Sequence, residues 1–415
     1  MPIIEGDASH AFFLTPEWSL PGHSGALSWY FRLIWDGSIN RGGAVPEVSV
    51  VIPVFNGATF VSRAIESVLR QTLSDLELVV VDDGSTDNTY TKISQAFIDN
   101  PKVKVITKPN GGKASALNYG IARSGNEFVV CIDADTLLNS DAVLKLIKTF
   151  FSVELHRQRI VGAVAGNVKV GNENNLLTKW QSIEYITAQN FDRRAFDLVN
   201  GITVIPGAIG AFRKEAIEKA GGFTSDTLAE DCDLTIRILK NGYRVINCTE
   251  AIAVTEAPET IKQFMKQRFR WSFGITQAFW KNKDACFNPR YKALGMFAMP
   301  NILLFQIILP MLAPLADAML IISLIWNYHN AESMNKIGTC YLLFLLLDVL
   351  VSLVSFSFEN EKPGKLFWLV PQRFIYRQLM YITIFKSIKK AVKGECQSWG
   401  ALRRTGHVKQ ISIIT

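Results

Sequence analysis

Histidine and cysteine are scarce in this chain, five and six among 415 residues. The cysteines, at 131, 232, 248, 286, 340 and 396, form no CxxC pair and keep no spacing from a histidine that would build a zinc site, so reduced, packed thiols are expected. Phosphate-binding glycine loops are also missing. No GxGxxG follows the first strand and no GxxxxGK[ST] occurs anywhere, which weakens dinucleotide and P-loop readings. The N-terminus carries Glu5 and Asp7 and lacks a basic stretch followed by an apolar run, so no secretory signal is visible and the part of the chain before its long apolar runs is expected in the cytoplasm.

Apolar residues are not lacking. They make up 48% of the chain, and the mean hydropathy is +0.16, high for a soluble enzyme. The excess sits between 294 and 385, where runs from about Ile302 to Trp326 and from about Ile337 to Phe358 are long enough to cross a bilayer, with Pro310 and Pro314 as expected kinks. The net charge of +7 invites a nucleic-acid partner, but the lysines and arginines concentrate at 262–292 and 386–409, beside the apolar runs. That placement fits a lipid bilayer and cytoplasmic loops, and no nucleic acid is expected. Both basic clusters favour the cytoplasm, so an even number of spans should separate them. A third apolar stretch, carrying Arg373 and Arg377, then reads as an interfacial helix, and Asp348 inside the second span should face other helices or a wet passage, or be protonated. The resulting division is a tail over 1–45, a catalytic domain over 46–290, membrane and interfacial helices over 291–393, and a cytoplasmic tail over 394–415. Within the first tail, Trp29, Tyr30, Phe31, Leu33, Ile34 and Trp35 make either a short interfacial piece or a loosely docked end.

From Val48 apolar strands alternate with amphipathic helices. VSVVIPVFN reads as a strand ended by Pro53, LELVVVDDGSTDNT as a strand running into a turn, KVKVITKPNGG as strand then loop, KASALNYGIARS as helix, and FVVCIDADTL as a buried strand. Such alternation predicts an α/β fold with a parallel sheet, whose carboxyl-terminal edge collects Asp82, Asp83, Asn110, Gly111, Gly112, Lys113, Asp133 and Asp135. A structural core does not need that cluster. Asp133 and Asp135 suit a hard divalent cation shared with a diphosphate, or a turn capping the next helix. Asp82 and Asp83 could accept hydrogen bonds from a nucleobase and a ribose, or simply shape a turn. Lys113, at a helix start after two glycines, places a positive charge near any phosphate.

Further on, the glycines and alanines at 207, 208, 210 and 211 allow either close passage of a bulky acceptor or tight strand packing. Glu230 and Asp231 open a helix, where acidic residues are also favoured by the helix dipole. TIKQFMKQRFRWSFGITQAFW carries Gln267, Arg268, Arg270 and Trp271. These are two cations able to neutralise a leaving diphosphate and a flat apolar platform for a sugar ring, or a basic helix with a membrane-anchoring Trp.

The order VVIPVFN, VDDGST, GGKASALN, DADT, AED, QRFRW resembles the family 2 inverting glycosyltransferases of the GT-A fold, especially the membrane-embedded polysaccharide synthases, over about residues 46–410. The resemblance implies a GT-A (Rossmann-like, mostly parallel sheet) α/β domain and transfer of a sugar, N-acetylglucosamine from UDP-GlcNAc first among the candidates, to a growing β-linked polysaccharide acceptor with Mg²⁺ or Mn²⁺. It implies a UDP-sugar donor site at Pro53, Asp82, Asp83, Lys113, Asp133, Asp135 and Arg270, with the metal on Asp133 and Asp135. Asp231 would be the general base, with Glu230 beside it, and Gln267, Arg268, Trp271 and Gly207 would line the acceptor site. Alternatives are another UDP-sugar added once to a lipid, or a non-catalytic membrane subunit. Relatives of this kind usually carry membrane helices ahead of the catalytic domain, and residues 1–45 hold none. Either the chain begins within a longer protein or the tail is interfacial, and a partner subunit could supply the helices.

Overall fold

The computed structural model describes residues 48–157 and 160–392. The readings made for residues 1–45 and 394–415 lie outside the described residues.

Eight strands form one sheet. They are β1 (Val48–Val54), β2 (Leu76–Asp82), β3 (Val103–Thr107), β4 (Phe128–Cys131), β5 (Leu137–Leu138), β6 (Val161–Val170), β7 (Gly210–Arg213) and β8 (Arg244–Thr255), in the spatial order β3-β2-β1-β4-β7-β6-β8-β5. β1 pairs in parallel with β2 and β4, β2 with β3, and β6 with β8. β1 and β2 are almost wholly buried and rich in valine, the pattern of strands covered on both faces. Helix α1 (Val61–Leu69) shows why the cover forms: Val61, Ala64, Ile65 and Val68 fall on one helical stripe and are all buried.

Two details differ from the sequence expectation. β1 does not end at Pro53 but runs on to Val54, in register with Val81 and Asp82. It can do so because β4 pairs with β1 only as far as Val51, so Pro53 lies where a neighbour is present on one side alone and a missing N–H costs nothing. The sheet is also not uniformly parallel. β7 is antiparallel to both β4 and β6, and β5 to β8. This reversal matters for the site. Gly210 pairs with Cys131, so the residues just before β7 lie beyond the carboxyl end of β4, next to Asp133. A parallel β7 would have put them at the opposite edge.

The remaining helices are α2 (Thr89–Ala96), α3 (Gly112–Ile121), α4 (Ala142–Arg157), α5 (Leu176–Glu184), α6 (Phe191–Asp197), α7 (Lys214–Lys219), α8 (Glu230–Lys240), α9 (Ile261–Lys281), α10 (Leu294–Trp326), α11 (Ala331–Phe358) and α12 (Leu369–Val392). A π-helical turn, Tyr185–Asn190, joins α5 to α6, and another, Ile302–Ile308, lies within α10 just ahead of Pro310. α10 and α11 are long and apolar enough to cross a membrane, and almost none of their most apolar window is buried by protein. α10 starts inside the hydrophobic core of the sheet domain, where Leu294, Ala298, Met299 and Ile302 are buried with the α8 side chains. α11 returns to the same domain: at its end Glu359 accepts from Asn167 Nδ2 (2.6 Å) and pairs with Arg194 (2.8 Å). Asp348 faces another helix, as expected. It accepts from Arg373 Nε of α12 at 2.7 Å, and Asp317 of α10 pairs with Arg377 one turn later.

Candidate active site

The carboxyl end of β4, the start of α3, the approach to β7, the start of α8 and the middle of α9 surround one cavity of about 480 Å³. Its wall includes Lys113, Asp133, Gly207, Glu230, Asp231, Gln267, Arg268, Arg270 and Trp271. Nine of the residues singled out in the sequence, spread over more than 150 positions, thus face one space. Pro53, Asp82, Asp83 and Asp135 do not line it.

Asp82 and Asp83 have different surroundings. Asp82 is buried; its Oδ2 accepts from Thr107 Oγ1 (3.0 Å) and Ser85 N (3.3 Å), while its Oδ1 has no hydrogen-bond partner. Asp83 is used by the protein itself. Its Oδ1 accepts from Lys108 Nζ (2.6 Å) and Gly111 N (3.1 Å), and its Oδ2 from Gly112 N (2.7 Å). The loop 108–112 is therefore tied down, with Gly112 at φ +83°, a conformation that glycine adopts without steric cost. Lys113 follows directly.

Lys113 bridges two acids. Its Nζ lies 2.6 Å from Asp133 Oδ1 and 3.2 Å from Glu230 Oε1. Burial pushes the ammonium towards its neutral form, but Asp133, Glu230 and Asp231 outweigh that and raise its pKa, so it is charged at every working pH. Gly207 makes room for it: a Cβ at that position would stand 2.4 Å from Nζ. Asp231, the next residue after Glu230, accepts a hydrogen bond from Cys232 N at 2.8 Å. Burial first, and then the charge of Glu230, push its pKa up to about 6, partly offset by Lys113. A carboxylate tuned this way is matched to taking a proton near neutral pH.

On α9, Arg268 is buried, with 2% of its side chain exposed. Its NH1 donates to Glu184 Oε1 at 2.7 Å, and its guanidinium lies over Trp271 (4.3 Å to the ring centroid) and Phe264 (5.1 Å). Nε and NH2 have no hydrogen-bond acceptor, which fits a cation held face-on between aromatic rings. Arg268 thus backs Trp271. The other Glu184 oxygen accepts from the Tyr376 hydroxyl of α12, which ties this wall to the C-terminal helices.

The sequence reading missed Glu184, Asp192 and Arg193, all in the cavity wall. Burial pushes the Asp192 carboxyl up to about 6 and the Arg193 guanidinium down to about 10. No motif marks them. The one signal is a mostly polar run, Gln189 to Arg194, and the π-helical turn rephases that helix so that spacing alone misplaces its faces.

Among the described residues no group of three or more His, Cys, Asp or Glu side chains could hold a metal. A site built from two carboxylates, Asp133 and Asp135, still suits Mg²⁺ or Mn²⁺, because such ions keep several waters and take the remaining oxygens from substrate phosphates.

A mostly parallel, curled sheet with acids at its carboxyl edge and a helical C-terminal region defines a GT-A glycosyltransferase fold. In agreement, a mannosyltransferase from Pyrobaculum calidifontis, solved with GDP-Man and Mn²⁺, superposes with a TM-score of 0.56 over 90% of this chain and 96% of its own, at 21% identity, a likeness of fold. Residues 49–221 match the Glycosyl transferase family 2 model, so the chain carries a family 2 glycosyltransferase domain. Poly-beta-1,6-N-acetyl-D-glucosamine synthases are similar in sequence. That of Staphylococcus epidermidis is 32% identical over 241 residues, 57% of this chain and 57% of the relative. That of Staphylococcus aureus (strain COL) is 30% identical over 258 residues, 60% and 61% of the two. The chain thus spans less than two thirds of the length of the curated relatives it matches.

Proposed function

We propose that this protein is a membrane-bound inverting glycosyltransferase that transfers N-acetylglucosamine from UDP-GlcNAc to the end of a growing β-linked polysaccharide, using a divalent cation. The observation that carries this reading is the single cavity in which Lys113 and Asp133, suited to a diphosphate, face Asp231, suited to a proton, with Trp271 beside them. The names of the similar synthases support the choice of sugar.

In this reading Asp231 accepts the proton of the acceptor hydroxyl as its oxygen attacks the anomeric carbon. The bond from that carbon to the diphosphate oxygen breaks on the opposite face, so the configuration inverts and no covalent sugar–enzyme intermediate forms. Lys113 and Arg270 stabilise the negative charge that builds on the departing diphosphate. Asp133 and Asp135 would hold the cation, which supplies Lewis-acid neutralisation of the diphosphate. Asp82, whose Oδ1 has no hydrogen-bond partner, would receive a nucleobase N–H, and Asp83 keeps the loop before Lys113 in place. Trp271 offers its face to the acceptor sugar, supported by Arg268 and flanked by Gln267.

The test is UDP release by purified protein in detergent with Mg²⁺ or Mn²⁺, across a panel of UDP-sugars, followed by sizing of the product. UDP-GlcNAc should be the best donor, and Asp231→Asn should lower the rate by ~10²–10⁴-fold. No release from any donor, or an unchanged rate in Asp231→Asn, overturns the reading. One-sugar products overturn its polysaccharide part.

A further inference from the structure

Asp133 serves two masters in the reading above. Its Oδ1 is 2.6 Å from the Lys113 ammonium, yet the same carboxylate is assigned to the divalent cation. Its two oxygens could serve both, but an ammonium and a divalent cation brought that close repel each other and so compete for the same carboxylate. Lys113 is meanwhile well matched to the site without donor. Two carboxylates, Asp133 and Glu230, share its charge, Asp231 adjoins Glu230, and the backbone at Gly207 closes the space beside Nζ. The start of α3 is fixed by the amides of Gly111 and Gly112 on Asp83, so any displacement of the ammonium is a rotation of the lysine side chain and not of the loop.

We infer that Lys113 is the internal counter-ion of the donor-free site, neutralising Asp133 and Glu230 until the cation and the nucleoside diphosphate arrive together, when its ammonium moves from Asp133 to the diphosphate oxygens. This rests on the function proposed above and adds to it an order of binding. Without nucleotide the cation competes with a bound ammonium and binds weakly. With nucleotide the diphosphate offers the ammonium a new partner and releases Asp133. Cation and nucleotide therefore strengthen each other's binding by the same factor, as linkage requires. Lys113 is the residue through which the coupling runs.

Binding, not turnover, tests this. Free Mn²⁺ is followed by electron paramagnetic resonance as it is titrated into the full chain in detergent, with and without UDP, for the parent protein, Lys113→Gln, Lys113→Met and Asp133→Asn. UDP should raise the parent protein's Mn²⁺ affinity. Without UDP, both Lys113 variants should bind Mn²⁺ at least ~tenfold more tightly than the parent, the direction set by removing a like charge, and UDP should add little further. Asp133→Asn should leave the free Mn²⁺ signal undiminished, which marks the site being read. Thermal unfolding shows whether each variant is folded, and having two neutral replacements guards against one that is not. Folded Lys113 variants that bind Mn²⁺ no more tightly than the parent overturn the counter-ion role alone. A parent protein that binds neither Mn²⁺ nor UDP overturns the functional reading and this inference with it.

Discussion

Asp231 is where burial and chemistry pull against each other. Its carboxyl is raised to about 6 from an ordinary 3.8, first by burial and then by Glu230, so the folded protein holds the proton more tightly than the unfolded chain does. The consequence for stability has a definite sign. The protonated form carries no penalty below about pH 4, the penalty grows as the pH rises between the two values, and above about 6 it is complete. Asparagine cannot ionise. Asp231→Asn should therefore melt at a higher temperature than the parent protein near pH 7.5, with the gap closing towards pH 4, while its UDP release collapses. In the parent protein UDP release should fall as the pH drops through about 6, because a protonated base cannot accept the acceptor's proton. Thermal scans at several pH values and a pH–rate profile check both halves. Equal melting temperatures at neutral pH would show that the carboxylate is not strained by its surroundings. Residue identities of this kind were legible beforehand because acids at strand ends and helix starts announce themselves by position. Arg193 and Asp192 were not, since nothing in DRR distinguishes a buried wall from a solvated helix face.

At the scale of elements, the wall behind Trp271 is assembled from three helices distant in sequence. Glu184 ends α5, Arg268 sits on α9 and Tyr376 on α12, and the glutamate accepts from both. Glu184→Gln removes the negative partner of a nearly inaccessible guanidinium. Breaking such a pair from one side costs about 3 kcal/mol, because the remaining charge stays buried without compensation. Tyr376→Phe leaves the ion pair intact and removes one hydrogen bond, a loss of about 1 kcal/mol. Thermal unfolding should rank the two in that order, and acceptor KM should rise in Glu184→Gln as Trp271 loses its backing. A larger effect from Tyr376→Phe would mean that the pair is not what holds the three helices together. The sequence predicted α9 and α12 as helices but not their junction with α5. Periodicity reports which face of a helix is apolar, not which other helix it meets, and the π-helical turn at Tyr185–Asn190 shifts even that face by a residue. Reversal of β7 was illegible for a similar reason: a four-residue strand, Gly210–Arg213, carries no mark of direction, although its direction is what brings Gly207 to Lys113.

For the molecule as a whole, both ends of the apolar hairpin return to the catalytic domain. α10 leaves it from the core around Met299, and α11 comes back where Glu359 meets Asn167 and Arg194 while Glu361 pairs with Lys169 (2.9 Å) and Lys365 with Glu173 (2.7 Å). Ion pairs of this density belong in an aqueous or interfacial setting, since charges deep in a bilayer are costly. The turn between the helices, around Tyr328, lies at the far end, and the segment between the two basic clusters contains two candidate spans, the even number that the positive-inside rule favours. If the hairpin crosses the bilayer, Tyr328 and Gly364 lie on opposite sides. Tyr328 is largely exposed, and a Cβ at Gly364 would meet nothing within 4 Å, so cysteine at either position should be tolerated. In intact cells a membrane-impermeant maleimide should label Tyr328→Cys above the background of the parent chain, and should reach Gly364→Cys only after the membrane is permeabilised. Labelling of both positions from the same side would mean that α10 and α11 lie along the membrane, and the cavity that Lys113, Asp231 and Trp271 enclose would then have no spanning hairpin beside it.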